Sequence, residues 1–295
     1  MTGTGQKVWL ITGSSGGLGR HLAETVLANG DRLVATARSL ARVADLQRLY
    51  GDRVALFELD VTDPNAAALA VRYALEQFGR LDVLVNNAGY AEIAPFEQMP
   101  EAAFRAVVDT NFYGVVSLTR AAIPVMREQR SGLIVNISSS SGRVGHPGSA
   151  AYCAAKFAVG GFSEAVGKEV AAFGVRVVAV EPGSMRTDWT RVASIRNLDL
   201  LPDYQPTIGK LLDFARDFAG HEPGDPDRYA AAIFALADKQ DLPEHLVLGP
   251  HAVAMVEAAE DRRRQLAVEW LPVSLSTDFE GAEMPKSVAK FISRE

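Results

Sequence analysis

The chain has 295 residues, 48% apolar and 22% charged, a balance that suits a globular α/β protein able to bury a substantial core. A net charge of −6 lacks the basic footprint of a nucleic-acid binder. The single cysteine, Cys153, excludes an internal disulfide framework and a cysteine-based zinc site, and suits a reducing compartment.

From the N-terminus, MTGTGQK supplies no charged segment leading into an apolar core, and no stretch approaches the ~18 apolar residues of a membrane span. A cytoplasmic location is the expectation. Apolar β-rich runs predict strands over Val8–Thr12, Arg32–Thr36, Val54–Glu58, Val83–Asn86, Gly132–Ser138 and Val175–Glu181, with a seventh at Val247–Gly249. Helical stretches fall between them: Gly17–Ala28, Leu40–Tyr50, Asn65–Phe78, a long one from Glu101 to Arg130, and Ala150–Phe173. Strands such as VWLIT and LDVLVN are apolar throughout, as expected when helices cover both faces of a parallel sheet. The alternation predicts a doubly wound parallel sheet, and no linker divides the chain, so one domain over residues 1–295 is expected.

Met185 to about Asp227 breaks this rhythm, mixing prolines with Trp189, Tyr204, Phe214 and Phe218, and reads as a lid over a ligand or a surface excursion with its own small core. The tail from about residue 250 reads as an extension whose helix, Ala252–Val268, carries Arg262, Arg263 and Arg264 among Glu257, Glu260, Asp261 and Glu269, a self-paired solvated face.

Two features carry chemistry. The first strand runs into Thr12-Gly13-Ser14-Ser15-Gly16-Gly17-Leu18-Gly19 and then a helix. Glycines let backbone N–H groups approach a pyrophosphate, and the helix start adds unpaired donors and its positive dipole end. The second strand ends Ala35-Thr36-Ala37-Arg38, where an acidic residue would bind the ribose 2′-hydroxyl of NAD(H) and repel a 2′-phosphate. A guanidinium at ~4 Å and an effective dielectric of ~20 is worth about 4 kcal/mol before desolvation and screening. Arg38 therefore favours NADP(H) over NAD(H), against the lesser alternative that Arg38, with Arg42, is ordinary helix-start surface. Second, Tyr152 and Lys156 are four apart and share a helix face. A phenol ionises near 10, and an ammonium one turn away favours the phenolate. Bringing it to neutrality takes about 4 kcal/mol, after which tyrosine can exchange a proton with an alcohol or alkoxide.

Together these motifs resemble the short-chain dehydrogenase/reductase family in its single-domain form. TGSSGGLG matches the family's cofactor turn, Asp60-Val61 its adenine-contacting pair, and Asn86-Asn87-Ala88-Gly89 its NNAG motif. Ser139, thirteen residues before Tyr152, matches the catalytic serine, Tyr152 and Lys156 the YxxxK pair, and Asn111 the fourth catalytic position. Pro182-Gly183 with Thr187 matches the nicotinamide-contacting PGxxxT segment. The resemblance runs in order from Thr12 to Thr187 and is looser beyond, where the tail is similar to a longer-tailed branch.

The resemblance implies a Rossmann-like sheet of about seven strands and a reductase or dehydrogenase interconverting a ketone or aldehyde and an alcohol. It implies cofactor contacts at Gly13, Ser15, Gly17, Leu18 and Gly19 in the turn, at Asp60 and Val61, and at Asn87, Ala88 and Gly89. Further contacts fall at Tyr152, Lys156, Pro182, Gly183 and Thr187. In this reading Ser139 stabilises the substrate oxygen and Tyr152 is the general acid or base. Lys156 binds the nicotinamide ribose and tunes Tyr152, and Asn111 holds a water of a proton relay. Ser138, Ser140 and Ser141 are neighbouring alternatives that only the spacing sets aside.

An epimerase or dehydratase on the same fold, or an NADPH-sensing regulator without turnover, are the competing readings. Cys153 reads as a packed helix residue and His146 as a turn or substrate-mouth residue. His221, His245 and His251 lack metal spacing, so no metal is expected. The sequon Asn136-Ile137-Ser138 reads as chance in a buried strand. A homodimer or homotetramer follows from the resemblance, through the long helices, and a hydrophobic small molecule is the expected substrate.

Overall fold

The computed structural model describes residues 5–189, 193, 199–279, 281–286 and 288. Among them are seven strands: β1 (Val8–Ile11), β2 (Arg32–Ala37), β3 (Val54–Glu58), β4 (Val83–Asn86), β5 (Gly132–Ile137), β6 (Val175–Pro182) and β7 (His245–Leu248). They pair in parallel in the order β3-β2-β1-β4-β5-β6-β7, giving the expected Rossmann-like sheet. Every residue of β1, β4 and β5 is buried because successive side chains enter opposite cores. Trp9, Ile11, Val85 and Val135 face one core, with Leu22 and Val26 of helix α1 (Gly17–Ala28). Leu10, Leu84 and Ile134 face the other, with Ala70 and Leu118.

Helices α2 (Ala44–Tyr50), α3 (Pro64–Phe78), α4 (Glu101–Val108), α5 (Gly114–Gln129) and α6 (Ala150–Val170) follow the predicted stretches with three changes, the first being that Ala171–Phe173 after α6 form a 3-10 turn. Leu40–Arg42 is a separate 3-10 turn before α2. The long Glu101–Arg130 stretch is divided by a π-helical turn, Asp109–Tyr113, a local widening by one residue that no periodicity of apolar residues announces. The Met185–Asp227 stretch, whose residues 190–192 and 194–198 lie outside the described ones, contains α7 (Lys210–Phe218) and runs into the start of α8 (Pro226–Ala235). Asp225 caps α8 by accepting from Asp227 N, and Ala230 and Ile233 of α8 enter the first core. Sequence patterning gave neither helix, because both are short and lie in a stretch interrupted by prolines.

Residue contacts divide the chain into Met1–Met255, which holds all seven strands, and Val256–Glu295. Helix α9 (Pro250–Glu269) and α10 (Leu271–Leu275) complete the described elements. Asn136 is fully buried and hydrogen-bonded to Asn86 and Ser163, which leaves the sequon no room for a sugar.

The outer strand is held by charge. His245 on β7 donates from Nδ1 to Glu181 on β6 and from Nε2 to Glu164 on α6, both at 2.6 Å, so both ring nitrogens carry protons. Arg143 stands 3.6 Å from the second oxygen of the fully buried Glu181 carboxylate. The Glu181 bond, aided by Glu164, raises the His245 pKa against the opposing effect of burial. A folded-state pKa above the unfolded value gives stability that is complete below pH ~6.5 and is lost as pH rises through the folded pKa. Urea melts of His245→Asn are expected to show a loss of about 2 kcal/mol at pH 6, the value of hydrogen bonds to charged groups, and a flatter stability profile above pH 6.5 than the parent.

Candidate active site

A doubly wound sheet binds ligands at the carboxyl ends of its strands, where the strand order reverses, here between β1 and β4. The turn after β1 is stitched to the segment after β4. Thr12 Oγ1 accepts from the N–H groups of Asn87 and Ala88 at 2.8 and 2.9 Å, and Asn87 Nδ2 donates to Thr12 O at 2.8 Å. A Cβ at Gly19 would overlap Asn87 Nδ2 and Gly13 O, so the start of α1 approaches this stitch as only glycine can. Ser15 is half-buried and Leu18 is buried under the turn. Across from it, a Cβ at Gly17 would lie 4.0 Å from Thr187 Cβ, and Gly183 N donates to Leu248 O, which fixes the Pro182-Gly183 segment to β7.

At the end of β2, Arg38 and Arg42 are exposed, and a Cβ at Gly16 would lie 3.9 Å from Arg42 Nη2, so the Arg42 guanidinium stands beside the glycine turn. Arg20 on α1, by contrast, is occupied by Glu24 and by a paired contact to Asp45 on α2. That contact holds the Asp45 carboxyl low, at about 2, and pairs its charge with the Arg20 guanidinium. The Thr62 N–H and hydroxyl hold the Asp60 carboxyl below its usual range, with Arg38 adding to the effect. Val61 is buried against Gly114, at the start of α5.

The other group of residues meets at the end of β5. Lys156, fully enclosed on α6, donates from Nζ to Ile137 O at 2.7 Å. Ser138 donates to Lys156 O at 3.0 Å, so this serine ties strand to helix and is spent. Ser140 is buried in the 3-10 turn that follows, and Ser141 donates its N–H to Ser139 Oγ at 3.1 Å. Ser139 is the serine hydrogen-bonded to the Tyr152 hydroxyl. The extended backbone explains the selection, since Ser138 and Ser139 point to opposite faces. Lys156 Nζ lies 5.6 Å from the Tyr152 ring centre.

The π-helical turn delivers Asn111 to the same place. It is fully buried, and its Nδ2 donates to Tyr90 O and to Val107 O, at 2.7 and 2.9 Å. Its Oδ1 is buried without a partner, and a Cβ at Gly89 would overlap that oxygen and stand 3.6 Å from Lys156 Nζ. An acceptor and a buried amine thus face one small space, suited to a bridging hydroxyl or water.

Burial sets the proton affinities. It pushes the Tyr152 phenol up to about 12 against the opposing Ser139 bond, and the Lys156 amine down to about 7. The expected lowering of the phenol by Lys156 is therefore not present in the protein alone: enclosure outweighs the amine, which is itself half-discharged near neutrality.

The remaining wall is apolar: Ala91, Ala94, Met99, Val107 and Ala151 pack with Tyr152. Trp189 tilts over Tyr152 with ring centres 5.4 Å apart. The described part of the Met185–Asp227 stretch is tied here as well, by Gln98 Nε2 to Asp199 O, Leu201 N to Gln98 Oε1, and Ile208 packed beside Gly148. Cys153 is buried, with Sγ toward Val144 O, and His146 closes the turn before α6 by accepting from Ser149 N. Among the described residues no group of three or more His, Cys, Asp or Glu side chains could hold a metal ion, and no helix is long and apolar enough to cross a membrane.

A family model described as short chain dehydrogenase matches residues 7–197. The chain belongs to the short-chain dehydrogenase family. It is 40% identical to oxidoreductase BOA17 of Botryotinia fuckeliana over 272 residues, 92% of this chain and 99% of that one. It is also similar to the crystal structure of a short-chain dehydrogenase from Streptomyces avermitilis, with a TM-score of 0.85 and 38% identity over 93% of this chain and all of the other. A structure of ElxO with NADP bound gives a TM-score of 0.71 and 28% identity over 85% of this chain and all of that one. As a short-chain dehydrogenase the protein is a nicotinamide-dinucleotide-dependent oxidoreductase acting on carbonyl and alcohol groups.

Sequence matching gathered Asn111, Ser139, Tyr152 and Lys156, and the geometry unites them. It missed Thr12 as the stitch between the two loops, although a threonine opening the motif was the available signal. It also missed the spent state of Ser138. The two serines give a direct contrast. Ser139→Ala is expected to lower kcat by about 10²–10³-fold, while Ser138→Ala costs about 1 kcal/mol of stability with kcat largely retained, as steady-state kinetics and thermal melts would read.

Proposed function

We propose that the protein is an NADP(H)-dependent reductase or dehydrogenase of a small hydrophobic ketone or aldehyde and its alcohol. The observation that carries this reading is the Tyr152–Ser139 hydrogen bond beside the buried Lys156 amine, beneath an apolar wall. The glycine cradle at Gly19 and the unpartnered Asn111 Oδ1 fit a dinucleotide that brings a pyrophosphate to the first and ribose hydroxyls near the second. Gly13, Ser15, Gly17, Leu18 and Gly19 would hold the pyrophosphate, and Asp60 and Val61 the adenine. Asn87, Ala88, Gly89, Pro182, Gly183 and Thr187 would flank the nicotinamide half. When bound, the cofactor supplies or accepts the hydride.

The protein's own residues manage the oxygen and its proton. Ser139 donates a hydrogen bond to the substrate oxygen, where negative charge develops during reduction. Tyr152, held protonated by enclosure, gives its phenolic proton to that oxygen and takes one from the alcohol in the reverse direction. Lys156, with a pKa of about 7 in the protein alone, would hold the ribose hydroxyls of a bound cofactor, and its ammonium form favours the phenolate left on Tyr152. Asn111 Oδ1 accepts from a water that returns the proton through Lys156. Trp189 and the apolar wall exclude bulk water and favour a hydrophobic substrate.

The NADP(H) preference is supported by Arg38 just past β2, by Arg42 beside the glycine turn, by the pairing of Asp45 with Arg20, and by the NADP-bound relative ElxO. The reading treats residues 1–295 as one catalytic domain, with about 185–227 as the substrate lid and about 250–295 as an extension. It takes the protein as cytoplasmic and assembled as a homodimer or homotetramer.

The test follows absorbance at 340 nm with NADPH and NADH over aliphatic, aromatic and polycyclic ketones. NADPH consumption abolished by Tyr152→Phe is the expected result; tight NADPH binding without turnover in either direction would favour a regulator. Arg38→Ala and Arg42→Ala are each expected to weaken NADPH binding about tenfold, the worth of one charged hydrogen bond, and to leave NADH binding unchanged.

A further inference from the structure

Ser139 stands at the head of a turn that is well held on one side only. Upstream, Ser138 N donates to Val180 O at 2.7 Å and Ser138 Oγ to Lys156 O at 3.0 Å. Downstream, the N–H groups of Arg143 and Val144 both close on Ser140 O, each at 3.0 Å, and no helix begins until Ala150. Gly145 and Pro147 are exposed there, and a Cβ at Gly145 would meet nothing within 4 Å. The inner side is packed without slack, since a Cβ at Gly142 would overlap Ser138 Oγ and Lys156 O.

One side chain of the turn reaches into the sheet. Arg143, at the end of the 3-10 turn, places Nη1 3.6 Å from Glu181 Oε2. Glu181 is fully buried, and among the described residues that oxygen has no hydrogen-bond partner. The guanidinium therefore faces a charge that water does not screen. The other oxygen of Glu181 accepts from His245, which also donates to Glu164, both at 2.6 Å. A Cβ at Gly160, one turn past Lys156, would stand 3.1 Å from His245 Cε1, so the ring abuts the helix that carries Tyr152. Arg143, Glu181, His245 and Glu164 thus alternate in charge and join the Ser139 turn to β6, β7 and α6. Glu181 also directly precedes Pro182-Gly183.

We propose that Arg143 is a positioning residue for Ser139: its ion pair with the buried Glu181 carboxylate sets the turn against β6 and so aims the serine hydroxyl. The assignment rests on Ser139 and Tyr152 handling the substrate oxygen as set out above. Without the pair, Ser139 keeps its place at the strand end while the downstream half of the turn is free to shift. A donor so displaced stabilises developing negative charge less and alters ground-state binding little, so kcat falls while KM holds.

Steady-state kinetics with NADPH and the best ketone of the panel test it, with NADPH binding and thermal melts on the same samples. Absence of parental turnover overturns the reading of the site and this proposal together; the outcomes below, with the parent active, bear on Arg143 alone. Arg143→Gln is expected to lower kcat about tenfold or more, with KM and NADPH affinity within about threefold of the parent. Arg143→Lys, which keeps the charge, should recover most of kcat. The double variant R143Q/E181Q separates position from stability. It removes the stranded buried charge and keeps an acceptor for His245, so it should melt at a higher temperature than Arg143→Gln while kcat stays low. Should Arg143→Gln fail to fold, the double variant alone decides, by low kcat with parental NADPH binding. Parental kcat in Arg143→Gln, or a double variant that regains kcat along with its melting temperature, assigns the pair to stability and overturns the proposal. Arg143→Lys as slow as Arg143→Gln overturns it too, because the charge would then be irrelevant.

Discussion

Lys156 is bound to the end of β5 twice, by its amine on Ile137 O and by its carbonyl under Ser138 Oγ. An amine without solvent must donate to something, and a strand end has a carbonyl to offer. The pair of bonds therefore sets the height and rotation of α6 relative to the strand. Tyr152, one turn earlier, inherits its position from that docking, and Ser139, one residue past Ser138, is turned toward it by the alternation of the strand. Between the same elements, Asn86, Thr119, Asn136 and Ser163 join β4, β5, α5 and α6 through buried side-chain bonds. Polar pairs with no water to fall back on tolerate little sliding, which is what a site requiring sub-ångström placement needs.

The sheet itself was legible because its strands are buried on both faces. VWLI and VLVN contain no polar residue until the one that opens a functional loop or turns into the buried polar ladder. The glycine turn, Arg38 and the Tyr152–Lys156 spacing were legible for a different reason, since each is a local pattern whose chemistry depends on neighbours in sequence. What stayed hidden depends on neighbours in space. Arg42 lies in a turn that reads as helix start, and its proximity to Gly16 arises from α1 and α2 being clasped by Arg20 and Asp45. The His245 bridge joins residues from α6, β6 and β7, and no spacing rule connects them.

The proton affinities show the same division. From sequence, an ammonium near a phenol means an acidified phenol. In the folded protein both groups are enclosed, each is displaced toward its neutral form, and the site on its own holds a neutral tyrosine above a weakly basic amine.

The π-helical turn at Asp109–Tyr113 also acts as a phase shifter. A rod of nearly thirty residues that kept one helical phase would present one face along its length, yet here the two halves serve different surfaces. Val107 of α4 looks into the apolar wall beside Tyr152, whereas Leu118 and Met126 of α5 look into the sheet. One additional residue in the turn rotates the first half by about 100° relative to the second. Deleting it would leave every element and every motif in place by composition, while dialling Val107 and Asn111 away from the groups they meet. In this rod the length between the two halves is thus as strict a constraint as the identity of the residues on it.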